Sequence, residues 1–408
     1  MRSTRRIAAL ALAVTTVFGG IALATAPAQA APAAPAKAST AKVTTIHACS
    51  QSVAKGHMAC LAELVTSPRA AAERALGVHP DATPSGYGPS QLQSAYALPS
   101  ATAGSGQTVA IVDAYDDPNA ASDLAVYRSQ FGLPACTTAS GCFRQVGQTG
   151  GARPAKNASW AEEESLDIDM VSAICPNCHI ILVEAKTAST ANLGKAVNEA
   201  ATLGATEISN SYGGGDETDA SAPYYNHPGI MITASSGDEG YGVEFPASSH
   251  YVTAVGGTSL NTASNSRGWS ETAWNDAGSG CSTKNTALTG QASFGTGCSK
   301  RAVADVSAVA DPNTGVAVYD STSYQGYVGW LVFGGTSVSS PIIASVYALA
   351  GNAASVNNNY PYTHDSASTL NDVTSGSNGS CSPTQLCKAR VGWDGPTGLG
   401  TPNGVGAF

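Results

Sequence analysis

The sequence predicts an α/β fold with a largely parallel central sheet covered by helices on both faces. Short apolar, β-branched runs alternate with helix-like segments along most of the chain, and such alternation needs the crossover connections of a parallel sheet. The chain has 408 residues, 43% of them hydrophobic and only 12% charged. That is a globular composition, long enough for two or three small domains or one large α/β domain.

The elements follow in order. Residues 108–112 (TVAIV) read as a strand, 120–131 as a helix and 161–173 as another. A strand follows at 180–184 and a helix at 189–203. Residues 207–209, 230–234 and 251–255 read as further strands. Sites in such sheets collect at the carboxyl ends of the strands.

Ahead of these elements the chain changes character. A basic start (Met1 to Arg6), an apolar run over 7–26 and Ala28-Gln29-Ala30 read as a secretion signal ending at residue 30. A membrane anchor is the other reading, and Arg5-Arg6 partly matches a twin-arginine signal. No later stretch is apolar enough to span a bilayer, so the mature chain is expected to be extracellular, monomeric and free of membrane. Residues 31–85 read as a short pro-segment or linker. Within them 31–45 is expected to be disordered, 67–76 to be helical, and the Pro/Gly/Ser-rich run 81–90 to be a linker. The main domain is expected over 86–408.

The ten cysteines fall into near-neighbour pairs: Cys49/Cys60, Cys136/Cys142, Cys175/Cys178, Cys281/Cys298 and Cys381/Cys387. An even count in an exported chain favours disulfides, and neighbour pairing is the simplest connectivity. Cys175-Pro-Asn-Cys178-His179 also matches the c-type haem attachment string, though a disulfide ending a helix accounts for it more plainly. The formal net charge is -9 with no basic cluster, so nucleic acid is not an expected partner. Few lysines and arginines repel one another in acid, which fits an acidic working pH.

Three strings carry chemistry. In Gly334-Gly335-Thr336-Ser337-Val-Ser-Ser-Pro341 a serine follows glycines at the start of an apolar helix. The helix N-terminus offers free N–H groups and partial positive charge to a developing oxyanion, and Pro341 is expected in the first turn, where it costs little. The plain alternative is an ordinary capped helix. In Glu162-Glu-Glu-Ser-Leu-Asp-Ile-Asp169, Glu163 and Asp167 are one helical turn apart, so ionising one raises the pKa of the other. Such a pair holds one proton and serves as a base in acid; the plain alternative is a solvated acidic face. In Ala234-Ser-Ser-Gly237-Asp238 an aspartate follows an apolar strand. Protonated, it donates a hydrogen bond to an oxyanion; otherwise it is a turn residue.

Together these strings resemble the sedolisins, the serine-carboxyl peptidases with a subtilisin-like, three-layer αβα fold. The family's Gly-Thr-Ser-x-x-x-Pro string matches Gly335-Thr336-Ser337 and Pro341. Its Glu-x-x-x-Asp pair matches Glu163 and Asp167, and its Ser-Gly-Asp string matches Ser236-Gly237-Asp238. Ile208-Ser-Asn-Ser-Tyr-Gly213, Ala254-Val-Gly-Gly-Thr258 and Trp269-Ser-Glu-Thr-Ala-Trp274 are also family-like, in the family's order over residues 86–408.

The resemblance implies Ser337 as nucleophile, Glu163 and Asp167 as its carboxylate partners, Asp238 as oxyanion stabiliser, and Ser211, Tyr212 and Gly213 lining a peptide or protein substrate. It also implies one structural Ca²⁺, held by the Asp372 and Asp394 carboxylates and the carbonyls of Val373, Arg390 and Gly392, an all-oxygen set suited to a hard cation. The family usually has glycine where Arg390 stands, and its pro-segment is usually far longer. Two rivals remain: a subtilisin with a Ser/His/Asp triad, although no His-Gly-Thr-His string exists, and a non-catalytic, disulfide-stapled exported binding protein of the same fold. Asp113, Asp116 and Asp117 are read as structural.

Overall fold

The computed structural model describes residues 43–66, 84–220 and 223–408. The expected signal sequence and the expected helix at 67–76 lie outside the described residues. Three strands come before the expected linker: β1 (Thr44–His47), β2 (Ala59–Cys60) and β3 (Glu63–Thr66). Thr44 and Thr45, expected to lack structure, therefore belong to a strand.

The central sheet has eight strands. It takes β4 (Thr108–Ala114), β5 (Phe143–Gly147), β6 (His179–Ala185) and β7 (Glu207–Asn210). Next in the chain is β8 (Tyr212–Gly215), which leaves this sheet, then β9 (Met231–Ser235), which rejoins it. The short β10 (Glu244–Phe245) pairs with β8. Strands β11 (Thr253–Thr262), β12 (Trp269–Ala273) and β13 (Val306–Val309) complete the sheet. Its order is β12-β11-β9-β7-β4-β6-β5, with β13 also on β11. Every pairing is parallel except β11 with β12. In β4 the run TVAIVDA is buried from Val109 onward, as expected of a strand covered on both faces.

Five helices matter for the site: α1 (Pro89–Ala95), α2 (Ala120–Gln130), α3 (Ala158–Ile174), α4 (Thr190–Thr202) and α5 (Thr336–Ala350). Helix α1 opens inside the expected 81–90 linker, with Pro89 in its first turn, where a missing N–H is harmless. Helices α3 and α5 pack on each other; α3 also packs on β4, and α5 on β7 and β9, while α4 covers β4 and β6. This is the expected αβα layering. All five neighbour disulfides form. Cys175 and Cys178 bond each other at the end of α3, so neither thiol is free for a haem.

The hairpin β14 (Val316–Tyr324) and β15 (Tyr327–Gly334) leads into α5. It turns on Gln325 and Gly326, both with positive φ, the geometry of a tight two-residue hairpin turn. β3 adds to β15 through Leu64 opposite Phe333 and Glu63 opposite Gly334. β1 pairs antiparallel on the far side of β3, and β2 pairs with β8. The segment preceding the linker is thus sheet-bonded to both sides of the Ser337 turn.

The acidic run on α3 is not a solvated face. Asn157 caps the helix, its side chain accepting the N–H groups of Ser159 and Trp160. Every residue from Trp160 to Ile174 is then buried, Glu162, Glu163, Glu164, Asp167 and Asp169 included. Burial holds Glu162 up to about 9, with the charge of Asp320 adding to it. Glu184, Glu207, Glu244 and Asp320 are each held up to about 8, again mainly by burial.

These groups keep protons in the folded state that the unfolded chain releases above its ordinary carboxyl range near pH 4. The native state then binds more protons than the unfolded state between about pH 4 and about pH 9, so stability is greatest in acid and falls as pH rises through this window. A thermal melt series across that range should give a Tm that declines steadily toward alkaline pH. A Tm that rises from acid to neutral pH would contradict the buried neutral acids.

Candidate active site

The site is assembled where α3, α5, β8 and the end of β9 converge. Gly335 caps α5 with φ +96° and ψ 158°. A Cβ at Gly335 would fall on the Leu61 carbonyl oxygen and stand 2.7 Å from Asp238 Oδ2, so both backbone angle and space require glycine here. Ser337 is the second residue of α5 and fully buried. Its hydroxyl donates to the Ser211 carbonyl at 3.3 Å, a weak contact, and lies close enough to Glu163 to favour that group's ionised form.

Pro341 is the sixth residue of α5 rather than part of its first turn. Without an N–H it leaves the Ser337 carbonyl without its usual intrahelical partner. The Ser211 hydroxyl stands 3.4 Å from that carbonyl and 2.9 Å from Asp167 Oδ1. The proline therefore frees a carbonyl beside the serine, and a hydroxyl shared with the acidic pair faces it.

Glu163 and Asp167 project from one face of α3 toward this point. Glu163 Oε2 accepts the Ala62 N–H at 2.7 Å. Burial pushes the Glu163 carboxyl up to about 8, while the Ser337 hydroxyl and the Ala62 and Leu61 N–H groups pull it back down. Asp167 is held well above the usual carboxylate range by burial and by the Glu163 charge, and only the Ser211 hydroxyl opposes this. Asp167 Oδ2 has no partner.

Asp113, at the carboxyl end of β4, joins the pair. It is fully buried with neither oxygen partnered. Burial first, then the charges of Asp167 and Glu163, raise it well above its ordinary value. The sequence reading gave Asp113 a structural role; its end-of-strand position was the available signal. Three carboxyls thus compete for protons, and they cannot all ionise.

Asp238 follows β9. Its Oδ1 accepts the Thr336 N–H at 2.8 Å and the Thr336 hydroxyl at 2.6 Å. Oδ2 is buried with no partner. Burial and the Glu63 charge hold this carboxyl well above its ordinary range, which favours its neutral form. The expected substrate strand is already paired: Gly213 is opposite Ala59, Tyr212 opposite Cys60, and Ser211 accepts the Leu61 N–H at 3.4 Å. The structure therefore brings Ser337, Glu163, Asp167, Asp238, Ser211, Tyr212 and Gly213 together. It adds Leu61 and Ala62, which no string in the sequence singled out. His179, the one histidine between β4 and Ser211, starts β6 and is exposed there.

Of the expected cation ligands, the Asp372 and Asp394 carboxyls lie near each other. The Gly392 N–H donates to Asp372 Oδ2 at 2.9 Å, and the Arg390 N–H to Asp394 Oδ2 at 3.0 Å. Burial pushes Asp394 up to about 7, and the nearby Asp372 charge adds to it. Gly392 has φ +75°, whereas Arg390 does not have positive φ, so arginine meets no backbone penalty at that position. Asp394 Oδ1 accepts the Thr397 N–H at 3.0 Å and hydroxyl at 2.8 Å; the two neighbouring carboxyls are the part of the expected all-oxygen set that these contacts bring together. A second acidic cluster, Asp117, Asp123 and Asp320, is buried beside α3.

No family model matches the chain. It is 30% identical over 367 residues to kumamolisin of Bacillus sp. (strain MN-32), covering 79% of this chain and 63% of that protein. It is 27% identical over 366 residues to sedolisin of Pseudomonas sp. (strain 101), covering 78% of this chain and 60% of that protein. The chain thus spans about three fifths of the length of these curated relatives. Among solved structures it resembles Pseudomonas sedolisin (serine-carboxyl proteinase) complexed with two molecules of pseudo-iodotyrostatin, with TM-score 0.66 and 27% identity over 79% of this chain and 96% of that one.

Gly335→Ala should lower the unfolding free energy by at least about 1 kcal/mol, the cost of a left-handed backbone angle for an L-residue, with the collision at the Leu61 carbonyl added to it. Chemical denaturation against wild type measures this; an unchanged midpoint would mean the turn relaxes freely.

Proposed function

The chain belongs to the sedolisin family, and from that premise we propose that it is an exported serine-carboxyl peptidase that hydrolyses peptide bonds in acid through an acyl-enzyme on Ser337. The observation that carries this reading is that Glu163, which the Ser337 hydroxyl and the Ala62 N–H both approach, and Asp238 Oδ2, which lies beside the Leu61 carbonyl over Gly335, flank the turn that presents Ser337. In the proposed organisation residues 1–30 direct export, 31–85 form the pro-segment and linker, and 86–408 carry the catalytic machinery. The disulfides fit an oxidising compartment, and no helix among the described residues is long and apolar enough to cross a membrane.

In the proposed reaction Glu163 accepts the Ser337 proton as the hydroxyl oxygen attacks the scissile carbonyl. Asp167 keeps a proton and orients Glu163, with Asp113 holding the local charge down. Asp238 donates through Oδ2 to the developing oxyanion, beside the free N–H groups at the start of α5. Glu163 then gives its proton to the leaving amine, and water hydrolyses the acyl-enzyme. Ser211 to Gly213 hold the substrate strand.

The non-catalytic reading sits less well with these positions. A binding protein has no need of a buried carboxyl oxygen, Asp238 Oδ2, left without a partner beside the Leu61 carbonyl.

The pH dependence follows from who must hold protons. Glu163 must be ionised while Asp167 and Asp238 remain neutral. Asp167 and Asp238 lose their protons as pH rises, which sets the alkaline limb; Glu163 gains one as pH falls, and because burial holds it up to about 8 while residues 61–62 fill the cleft, activity in acid requires that segment to leave so that solvent brings the Glu163 carboxyl down. Hydrolysis of a denatured protein substrate should trace such a bell, with Ser337→Ala and Glu163→Gln each lowering kcat by at least about a thousandfold. Wild-type turnover matched by Ser337→Ala would remove the assignment.

For the cation, we propose that Asp372, Asp394 and the carbonyls of Val373, Arg390 and Gly392 hold one Ca²⁺, which would supply charge compensation and rigidity to the terminal turn. Calcium at ~100-fold above its Kd should add about 2.7 kcal/mol to stability by linkage. Chelation should then lower Tm in wild type and leave Asp394→Asn unaffected; equal shifts in both would place the ion elsewhere.

A further inference from the structure

A cluster of acids lies away from the catalytic residues. Asp117 follows β4, Asp123 sits in the first turn of α2, and Asp320 is on β14. A carboxyl oxygen of each lies within 4.8 Å of the other two. All three residues are buried, Asp117 and Asp320 fully. Oxygens bound to Ca²⁺ stand about 2.3–2.6 Å from the ion, so two on one ion are at most about 5 Å apart. The spacing fits three ligands on one ion.

Spacing alone would suit a protonated cluster equally well, and Glu162 separates the two. It is fully buried, and neither of its carboxyl oxygens has a partner. It belongs to the side of α3 that faces the cluster. One turn on, the Ser165 hydroxyl stands 3.4 Å from Asp117 Oδ2. Two turns on, Asp169 Oδ2 accepts the N–H of Tyr319, the neighbour of Asp320, at 2.9 Å. The charge that Glu162 feels most is that of Asp320, whose Oδ2 is also buried without a partner. Among the described residues no lysine, arginine or histidine pairs with any of the four. Protonation spares Glu162 the cost of a buried charge, yet its O–H then has no acceptor. A divalent cation meets both needs.

We propose that Asp117, Asp123 and Asp320, with Glu162 beside them, bind a second Ca²⁺. The site is separate from the terminal turn and independent of the catalytic reading. Carboxyl oxygens without nitrogen or sulfur donors are the set a hard cation selects. Each of the three aspartates is oriented by a backbone donor, as ligands in metal sites are. Asp117 Oδ1 accepts the Asn119 N–H at 2.9 Å, Asp123 Oδ2 the Ser321 N–H at 2.7 Å, and Asp320 Oδ1 the Thr322 N–H at 2.6 Å. Metal and protons compete for the same oxygens, so the ion replaces the protons these groups hold without it. It joins the β4–α2 turn to β14 across one side of α3, while Glu163 and Asp167 project from another. Because its ligands are buried, the ion enters as the chain folds and does not exchange with a chelator around the folded protein. The terminal turn differs in this respect, since Asp372 is exposed.

The test uses the folded full chain at neutral pH, purified from calcium-containing medium, as wild type, Asp394→Asn, Asp320→Asn and Asp123→Asn. Each is treated with EDTA, desalted and analysed for calcium per chain by elemental mass spectrometry, with circular dichroism to check the fold. Wild type and Asp394→Asn should each retain about one Ca²⁺. Asp320→Asn and Asp123→Asn should retain at least about tenfold less. If both of these variants lose the fold, anomalous scattering from Asp394→Asn crystals replaces them, with a calcium peak expected among Asp117, Asp123 and Asp320. An Asp394→Asn chain without calcium overturns the proposal. So does calcium that persists in either folded cluster variant, or an anomalous peak found only elsewhere.

Discussion

The fold depends on keeping a set of buried carboxyl groups neutral. Helix α3 buries Glu162, Glu163, Glu164, Asp167 and Asp169, and β4 and β6 add Asp113 and Glu184. Cations in this region are few: Arg128 lies near Asp169, and Arg153 pairs with Asp116 at 3.1 Å. Glu162 and Glu164 have no hydrogen-bond partner at either oxygen, and Asp113 has none. An ionised carboxylate in such a place costs several kcal/mol even after relaxation, so protonation is the cheaper solution. Elsewhere a buried charge is paired: Arg301 meets Asp305, both fully buried, with Gln291 and Tyr362 completing the network. The contrast marks the α3 acids as groups meant to hold protons.

That condition also sets the chemistry. A serine hydroxyl beside a lone carboxylate is a poor nucleophile, because an ordinary carboxylate is too weak a base. Burial lifts the Glu163 carboxyl toward the range a base needs, and Asp167 and Asp113 supply a neighbourhood in which a second ionisation is disfavoured. In the proposed reaction Asp238 extends the same logic across the cleft, since it can donate only while neutral.

Much of this was legible in the sequence. The spacing of Glu163 and Asp167 put both on one helix face, and strand–helix alternation gave the parallel sheet with bounds close to those observed. The neighbour disulfides followed from even counting. What was not legible has identifiable causes. Three acids in a row from Glu162 look solvated until tertiary packing closes over them, and periodicity cannot settle it because every face of α3 is buried. Pro341 reads as a first-turn residue, and only the observed start of α5 at Thr336 shifts it inward. The hairpin at Gln325-Gly326 carries a weaker turn signal than Asn-Gly.

The least legible element, residues 58–66, is also the one that joins fold to chemistry. Met58-Ala59-Cys60-Leu61-Ala62 has no alternation of polarity and no motif, because a strand that fills a cleft is defined by its hydrogen-bond partners rather than by a face of its own. Its two ends are anchored differently. The amino side is stapled by Cys49–Cys60 and lies on β8, whereas the carboxyl side is woven between β1 and β15. The bond between them has its N–H on Glu163 Oε2, a group whose protonation changes with pH. Anchored on both sides, the segment keeps water from Glu163, so the pairing of this strand and the raised Glu163 carboxyl are two faces of one constraint.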